Sequence, residues 1–253
     1  MIEKIIVIDI GNSFIKLKHN DEVKFIHSNE LALDNIKKHI ETLDINSVVI
    51  SSVDTDMEYK IVDFFANNNI EVLLADSLFR KQKFINFSNI QGMGNDRKLG
   101  LLGAIKFFEP PIITIDCGTA ITINILSDDN ICQGGIIMCG IGTQSRALSD
   151  YTSSLPKVKV DIKSSNINTT EDAINTGIIS AVRGGIIDFI YNAIYRKKLE
   201  NTSVIFTGGY GSIAFKLCRN KINKMNNVNE KIKIVDFKTD LVLLGLEKLL
   251  EVK

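Results

Sequence analysis

The sequence is short of the residues that mark metal-binding, secreted, membrane and nucleic-acid proteins. It has no tryptophan, three prolines, three histidines and four cysteines in 253 residues. Cys117, Cys132, Cys139 and Cys218 form no Cys-x-x-Cys pair, and His19, His27 and His39 lie far from them near the start. That spacing argues against a zinc site and for a reduced, cytoplasmic protein. No uninterrupted apolar run reaches the ~18 residues of a membrane span. The longest candidate, 112–126, is broken by Asp116 and Asn124. The run Ile5-Ile6-Val7-Ile8 is too short for the apolar region of a secretion signal. Neither charge is in surplus: 30 Lys plus Arg balance 30 Asp plus Glu. Without a basic excess, a broad nucleic-acid footprint is not expected. Two nucleotide motifs are missing as well, Gly-x-x-x-x-Gly-Lys-[Ser/Thr] and a Gly-x-Gly-x-x-Gly after the first strand.

What is present is an ordinary globular composition, 45% hydrophobic and 24% charged, with length for one large or two small domains. The informative feature is an internal echo. Ile5-Ile6-Val7-Ile8 runs into Asp9-Ile10-Gly11-Asn12-Ser13, and Ile112-Ile113-Thr114-Ile115 runs into Asp116-Cys117-Gly118-Thr119-Ala120. A hairpin is predicted after each: 14–17 with 23–27, and 121–125 with 131–137. Leu33, Ile36, Ile40 and Leu43 then fall at helical spacing, ahead of a strand Val48-Val49-Ile50. In the second half, helices over 144–155 and 170–198 precede a strand Val204-Ile205-Phe206. Strands alternating with helices predict an α/β fold. The duplication predicts two similar lobes, 1–110 and 111–253, with a nucleotide cleft between them.

The turns carry the chemistry. A carboxylate at the end of a buried strand is costly unless something compensates it. A magnesium-bound phosphate would do so. Gly11 lets backbone N–H groups approach an anion. Asn12 and Ser13 add neutral donors, and Lys16 adds a point charge. Asp, Gly, Asn and Ser also make plain turns, but two copies favour phosphate binding. Thr207-Gly208-Gly209 before a helix start adds a third place where backbone can lie close to a nucleotide.

Two Asp-x-Gly turns and a later Gly-Gly resemble the phosphate and adenosine elements of the actin, sugar kinase and heat-shock chaperone ATPases. The resemblance implies two ribonuclease H-like lobes. Within that superfamily the ordered set Asp9-x-Gly11-Asn12-Ser13, Gly94-Asn95-Asp96-Arg97, Asp116-x-Gly118-Thr119-Ala120-x-Thr122 and Gly134-Gly135-x-Ile137 resembles type III pantothenate kinase. It runs from Ile5 to about Leu250.

The resemblance implies ATP-dependent phosphorylation of pantothenate, the opening step of coenzyme A biosynthesis. It implies ATP phosphates on Asp9, Ile10, Gly11, Asn12, Ser13, Phe14, Ile15 and Lys16, with Thr119, Gly208 and Gly209 also on the nucleotide. Pantothenate would meet Phe87, Gly94, Asn95, Asp96, Arg97 and Thr170, with Asp96 as the base. Asp116 would help bind a monovalent cation, potassium or ammonium. Magnesium would travel with ATP, near Asp9. A homodimer is implied, with 170–198 as its helix. The alternatives are a nucleotide-binding accessory regulator of transcription and a kinase on another small alcohol. Four positions depart from the family pattern: Phe87 for Tyr, Ile90 for Pro, Cys139 for Pro and Thr169 for Asn. Losing the hydroxyl at Phe87 would cost about 1 kcal/mol of substrate affinity. Cys139 would loosen its turn and is expected to be a packing residue.

Overall fold

Two five-stranded sheets organise the chain, and their strand orders are copies of one another. The first contains β1 (Ile5–Ile10), β2 (Phe14–His19), β3 (Glu22–His27), β4 (Ser47–Ser52) and β5 (Glu71–Leu74) in the order β3-β2-β1-β4-β5. The second contains β6 (Ile112–Cys117), β7 (Ala120–Leu126), β8 (Cys132–Cys139), β9 (Thr202–Thr207) and β10 (Ile232–Phe237) in the order β8-β7-β6-β9-β10. In each sheet the first three strands form an antiparallel meander, and the fourth and fifth add in parallel. The predicted duplication is thus a duplication of topology. The computed structural model describes residues 4–252 apart from 165 and 197, without the side chains of 228 and 229. The predicted helix over 170–198 therefore crosses one position, 197, outside the described residues.

Contacts divide the chain into two units. One holds the described residues of Met1–Ile85, Gln91–Phe107 and Leu241–Lys253; the other holds Asn86–Ile90 and Phe108–Asp240. In the first, α1 (Ala32–Ile40), α2 (Thr55–Asn67), α3 (Ala75–Phe79), α4 (Asn95–Ala104) and α8 (Leu241–Leu249) accompany the sheet. Helix α1 buries Ala32, Ile36 and Ile40, while Leu33 is only partly buried. Leu33 and Leu43 both pack against that core, so the predicted stripe faces it, joined by Ala32. Helix α8 returns to the first unit from the far end of the sequence. Its Gly245 lies against the Leu99 carbonyl of α4, and Gly103 of α4 lies against the Leu241 carbonyl. A Cβ at either glycine would overlap the opposing backbone, so both helices can approach closely only with Gly there. Glu247 of α8 accepts from Lys18 of β2 and, at 2.8 Å, from Lys106. Burial pushes its carboxyl up, but the Lys106 and Lys18 hydrogen bonds and charges outweigh that and hold it below its ordinary value.

In the second unit, α5 (Ile141–Tyr151), α6 (Thr170–Arg196) and α7 (Gly211–Asn229) accompany the sheet. Ile113, Ile115 and Cys117 of β6 share a core with Ile174, Ile178, Val182, Ile186 and Ile190 of α6. Among the described residues α6 is long and apolar enough to cross a membrane by length and composition. Asn175, Thr176 and Arg183 interrupt its apolar sequence. Its isoleucines lie in the core of this unit. The opposite face exposes Ala173, Gly177, Ser180, Ala181 and Gly184.

Candidate active site

Asp9 sits one residue from the end of β1 and is buried. Its antiparallel register partner is Lys16, and its parallel partner is Ser51. Directly paired residues present side chains on the same face, and Lys16 Nζ lies 3.7 Å from Asp9 Oδ2. The Gly11 N–H donates to the Phe14 carbonyl at 3.0 Å, closing the turn. Ser28, just beyond β3, adds two bonds. Its Oγ donates to the Gly11 carbonyl at 2.8 Å, and its N–H donates to the Ser13 carbonyl at 3.1 Å. Asn12 and Phe14 are exposed, and the Phe14 ring rests on His27 with centroids 4.4 Å apart. Ile10 and Ile15 are buried in the core, so only their backbone can serve a ligand.

The second copy is built on the same register. Asp116 sits one residue from the end of β6, opposite Thr122 on β7 and Thr207 on β9. The Gly118 N–H donates to the Ala120 carbonyl at 2.9 Å. The Thr119 carbonyl accepts from the Gly140 N–H at 3.0 Å and from Thr143 Oγ1 at 2.6 Å. After β9 the chain turns at Gly208, whose φ is +88°. A side chain is disfavoured at that angle, and a Cβ there would overlap Asp116 Oδ1. The Asp116 carboxylate therefore lies directly against the Gly208 turn. The next residues lead into α7, and the Tyr210 N–H donates to the Cys117 carbonyl at 2.8 Å. Cys117 faces the core, where burial pushes its thiol far up; burial likewise pushes Cys218 up to about 12. Neither is a nucleophile at neutral pH.

Gly94 precedes α4, and Asp96 stands in that helix's first turn. Its Oδ1 accepts the Arg97 N–H at 2.8 Å. Asn95 Nδ2 donates to Asp76 Oδ1 at 2.9 Å, tying the helix start to α3. Phe87 falls in the other unit, within Asn86–Ile90, a segment held by an Asn86–Ile131 bridge. Thr169 Oγ1 accepts the Asp172 N–H at 3.1 Å. Thr169 is thus the cap of α6, and Thr170, the first helical residue, is left exposed. Cys139 is exposed rather than packed. On the edge strand β8 it falls in the outward set with Gln133, Gly135 and Ile137. The turn that follows is held by Gln144 Nε2 donating to the Cys139 carbonyl at 2.9 Å.

Both carboxylate turns, with Gly-x-Asp-Arg between them in sequence, fall inside a stretch that matches a known family. A profile of type III pantothenate kinase matches residues 5–192. The chain belongs to the type III pantothenate kinase family. Its reaction is the phosphorylation of pantothenate by ATP, the entry to coenzyme A biosynthesis. A type III pantothenate kinase of Sulfurihydrogenibium sp. is 28% identical over 230 residues, covering 83% of this chain and 89% of the relative. One of Flavobacterium psychrophilum is 28% identical over 234 residues, covering 88% and 94%. Among solved structures, a Campylobacter jejuni protein named for the Baf family of transcriptional activators aligns with a TM-score of 0.61 at 20% identity, over 97% of each chain. A Listeria monocytogenes protein named for N-acetylmannosamine kinase aligns at 0.55 and 14%, over 98% and 99%. At those identities they speak for the fold alone, the α/β arrangement of two five-stranded sheets. Ser28 and Thr143 were not foreseen from the sequence. Their partners lie 17 and 24 residues away, and neither residue sits in a recognisable motif.

Proposed function

We propose that the Asp9 and Asp116 turns hold the ATP phosphates, and that Asp96 is the base that activates pantothenate. The observation that supports this reading is the equivalent place of Asp9 and Asp116, each next to last in the central strand of two sheets of one strand order. The Asp9 turn, from Asp9 to Lys16, offers backbone N–H groups, the Asn12 and Ser13 side chains and the Lys16 ammonium. Thr119, Gly208 and Gly209 take the rest of the nucleotide. Gly94, Asn95, Arg97, Thr170 and Phe87 take pantothenate, with the Arg97 guanidinium suited to its carboxylate. Asp96 accepts the proton of the pantothenate hydroxyl as the new O–P bond forms. The bond to the γ-phosphorus breaks toward ADP, and the proton leaves on the Asp96 carboxyl.

Two cations fit the donor set. Both carboxylates are hard oxygen donors, and among the described residues no cluster of three or more His, Cys, Asp or Glu side chains could hold a metal. A cation at either place therefore completes its shell with phosphate and water oxygens, the habit of magnesium on a nucleotide. Asp9 would hold magnesium, and Asp116 a monovalent cation. Bound there, they supply charge neutralisation of the transferring phosphoryl group. The exposed small-residue face of α6 suits close helix packing in a homodimer. Four free thiols suit the reducing cytoplasm.

The test is phosphoryl transfer from ATP to pantothenate by the purified protein. Phosphopantothenate should form with magnesium, more of it with potassium or ammonium. Replacing Asp96 by Asn should nearly abolish turnover in a protein that still binds ATP. Full activity in that variant would remove Asp96 as the base.

A further inference from the structure

Both turns accept a hydrogen bond from a hydroxyl that lies beyond the third strand of their sheet. In the first unit, Ser28 Oγ donates to the Gly11 carbonyl at 2.8 Å. In the second, Thr143 Oγ1 donates to the Thr119 carbonyl at 2.6 Å. Each hydroxyl is paired with a backbone bond to the same turn: Ser28 N–H to the Ser13 carbonyl at 3.1 Å, and Gly140 N–H to the Thr119 carbonyl at 3.0 Å. We infer that Ser28 and Thr143 are positioning residues for ATP, acting through the backbone of the two turns. The inference rests on the reading that these turns hold the nucleotide.

The physical argument concerns what a turn must do to bind phosphate. Its N–H groups have to converge on one anion, and a short loop rich in Gly, Asn and Ser has many other conformations. Fixing the carbonyl of a peptide plane fixes the N–H of the same plane, because the peptide unit is planar. The Gly11 carbonyl shares its plane with the Asn12 N–H, and the Thr119 carbonyl shares its plane with the Ala120 N–H. A hydroxyl on the carbonyl side thus aims the N–H on the other side without touching the ligand. Thr143 is itself steadied, since Arg146 Nη2 lies 3.4 Å from its Oγ1. Ser28 directly follows β3, and Thr143 stands in the first turn of α5, shortly after β8.

The test compares Ser28→Ala and Thr143→Val with Ser28→Thr and Thr143→Ser. Three quantities are read: the KM for ATP against kcat, calorimetric affinity for a magnesium-bound non-hydrolysable ATP analogue, and the thermal midpoint. Loss of one neutral hydrogen bond predicts a three- to tenfold weaker analogue affinity and a matching rise in KM for ATP. The KM for pantothenate should stay within twofold, and both hydroxyl-keeping variants should return to wild type. Analogue affinity unchanged in the folded Ala and Val variants overturns the proposal. So does a loss of activity that tracks the folded fraction alone, or hydroxyl-keeping variants that fail to restore binding. Should either truncation fold poorly, its hydroxyl-keeping variant decides, because wild-type analogue affinity is required of it. Analogue binding needs no acceptor, so it tests the clamps even if pantothenate phosphorylation were to fail in the wild type.

Discussion

The two halves share a strand order and a carboxylate position, but they surround that carboxylate differently. In the first half the residue facing it across the antiparallel pair is Lys16, 3.7 Å away. In the second the same place holds Thr122. The parallel neighbours are both hydroxyl residues, Ser51 and Thr207. The first carboxylate therefore has a cation built into its sheet, whereas the second has a neutral oxygen at that place. That difference teaches how a duplicated scaffold divides its labour. Under the function proposed above, the first copy would bring its own positive charge to the phosphates and the second would take one from solution. The turns that follow share a return bond, from the Val53 N–H to the Ile10 carbonyl at 3.0 Å and from the Tyr210 N–H to the Cys117 carbonyl at 2.8 Å. They differ in what meets the carboxylate: Asp116 abuts the Gly208 turn, whereas β4 ends in Ser51-Ser52.

Removing the carboxylates should have the largest effect. Asp9→Asn and Asp116→Asn are each expected to lower kcat/KM by about a hundredfold or more, as loss of a charge-stabilising group does. Steady-state kinetics with and without potassium should separate them. The Asp9 variant keeps its activation by potassium, and the Asp116 variant loses it. Next comes Gly208→Ala. A side chain at a φ of +88° is strained by about 1–3 kcal/mol, and it would also displace the Asp116 carboxylate. Thermal unfolding should register the strain, and titration with an ATP analogue the displacement.

A sharper probe is Thr122→Lys, which gives the second half the residue of the first. An ammonium opposite Asp116 should flatten the dependence on potassium while leaving measurable turnover. Unchanged potassium activation would separate the cation requirement from Asp116. The smallest effect is expected at the first unit's far packing point. Glu247→Gln should cost about 1–2 kcal/mol, the value of weakened charge-assisted hydrogen bonds. Because Glu247's carboxyl is held below its ordinary value, its contribution is complete above the unfolded value of about 4.3. It is lost as pH falls through the lower folded value. Thermal midpoints taken from pH 7 down to 3 should fall more steeply for wild type than for Glu247→Gln.

The parts of this molecule that could be read from sequence are those written in local patterns. A β-branched run ending in Asp-x-Gly announces itself, because an acidic residue at the end of an apolar strand is an expense that needs a ligand or a partner. The meander that follows is equally plain from alternation and polar turns. The association of α8 with α4 was hidden, because Gly103 and Gly245 have meaning only once two distant helices meet. The cap of α6 could have been either threonine, and only the Asp172 N–H distinguishes Thr169 from Thr170. Cys139, expected as a packing residue in a turn, instead ends the edge strand β8, whose alternation turns it out. Ser28 and Thr143 carry no motif, so their bonds to the turns emerge only in three dimensions.

The most direct measurement is the rate of ATP-dependent phosphopantothenate formation by wild type and Asp116→Asn, each with magnesium and with or without potassium or ammonium. The account predicts product from wild type that rises with the monovalent cation, and a residual, cation-insensitive rate from the variant. Wild type that binds ATP yet forms no phosphopantothenate under any cation would contradict it, as would a variant that responds to potassium as wild type does.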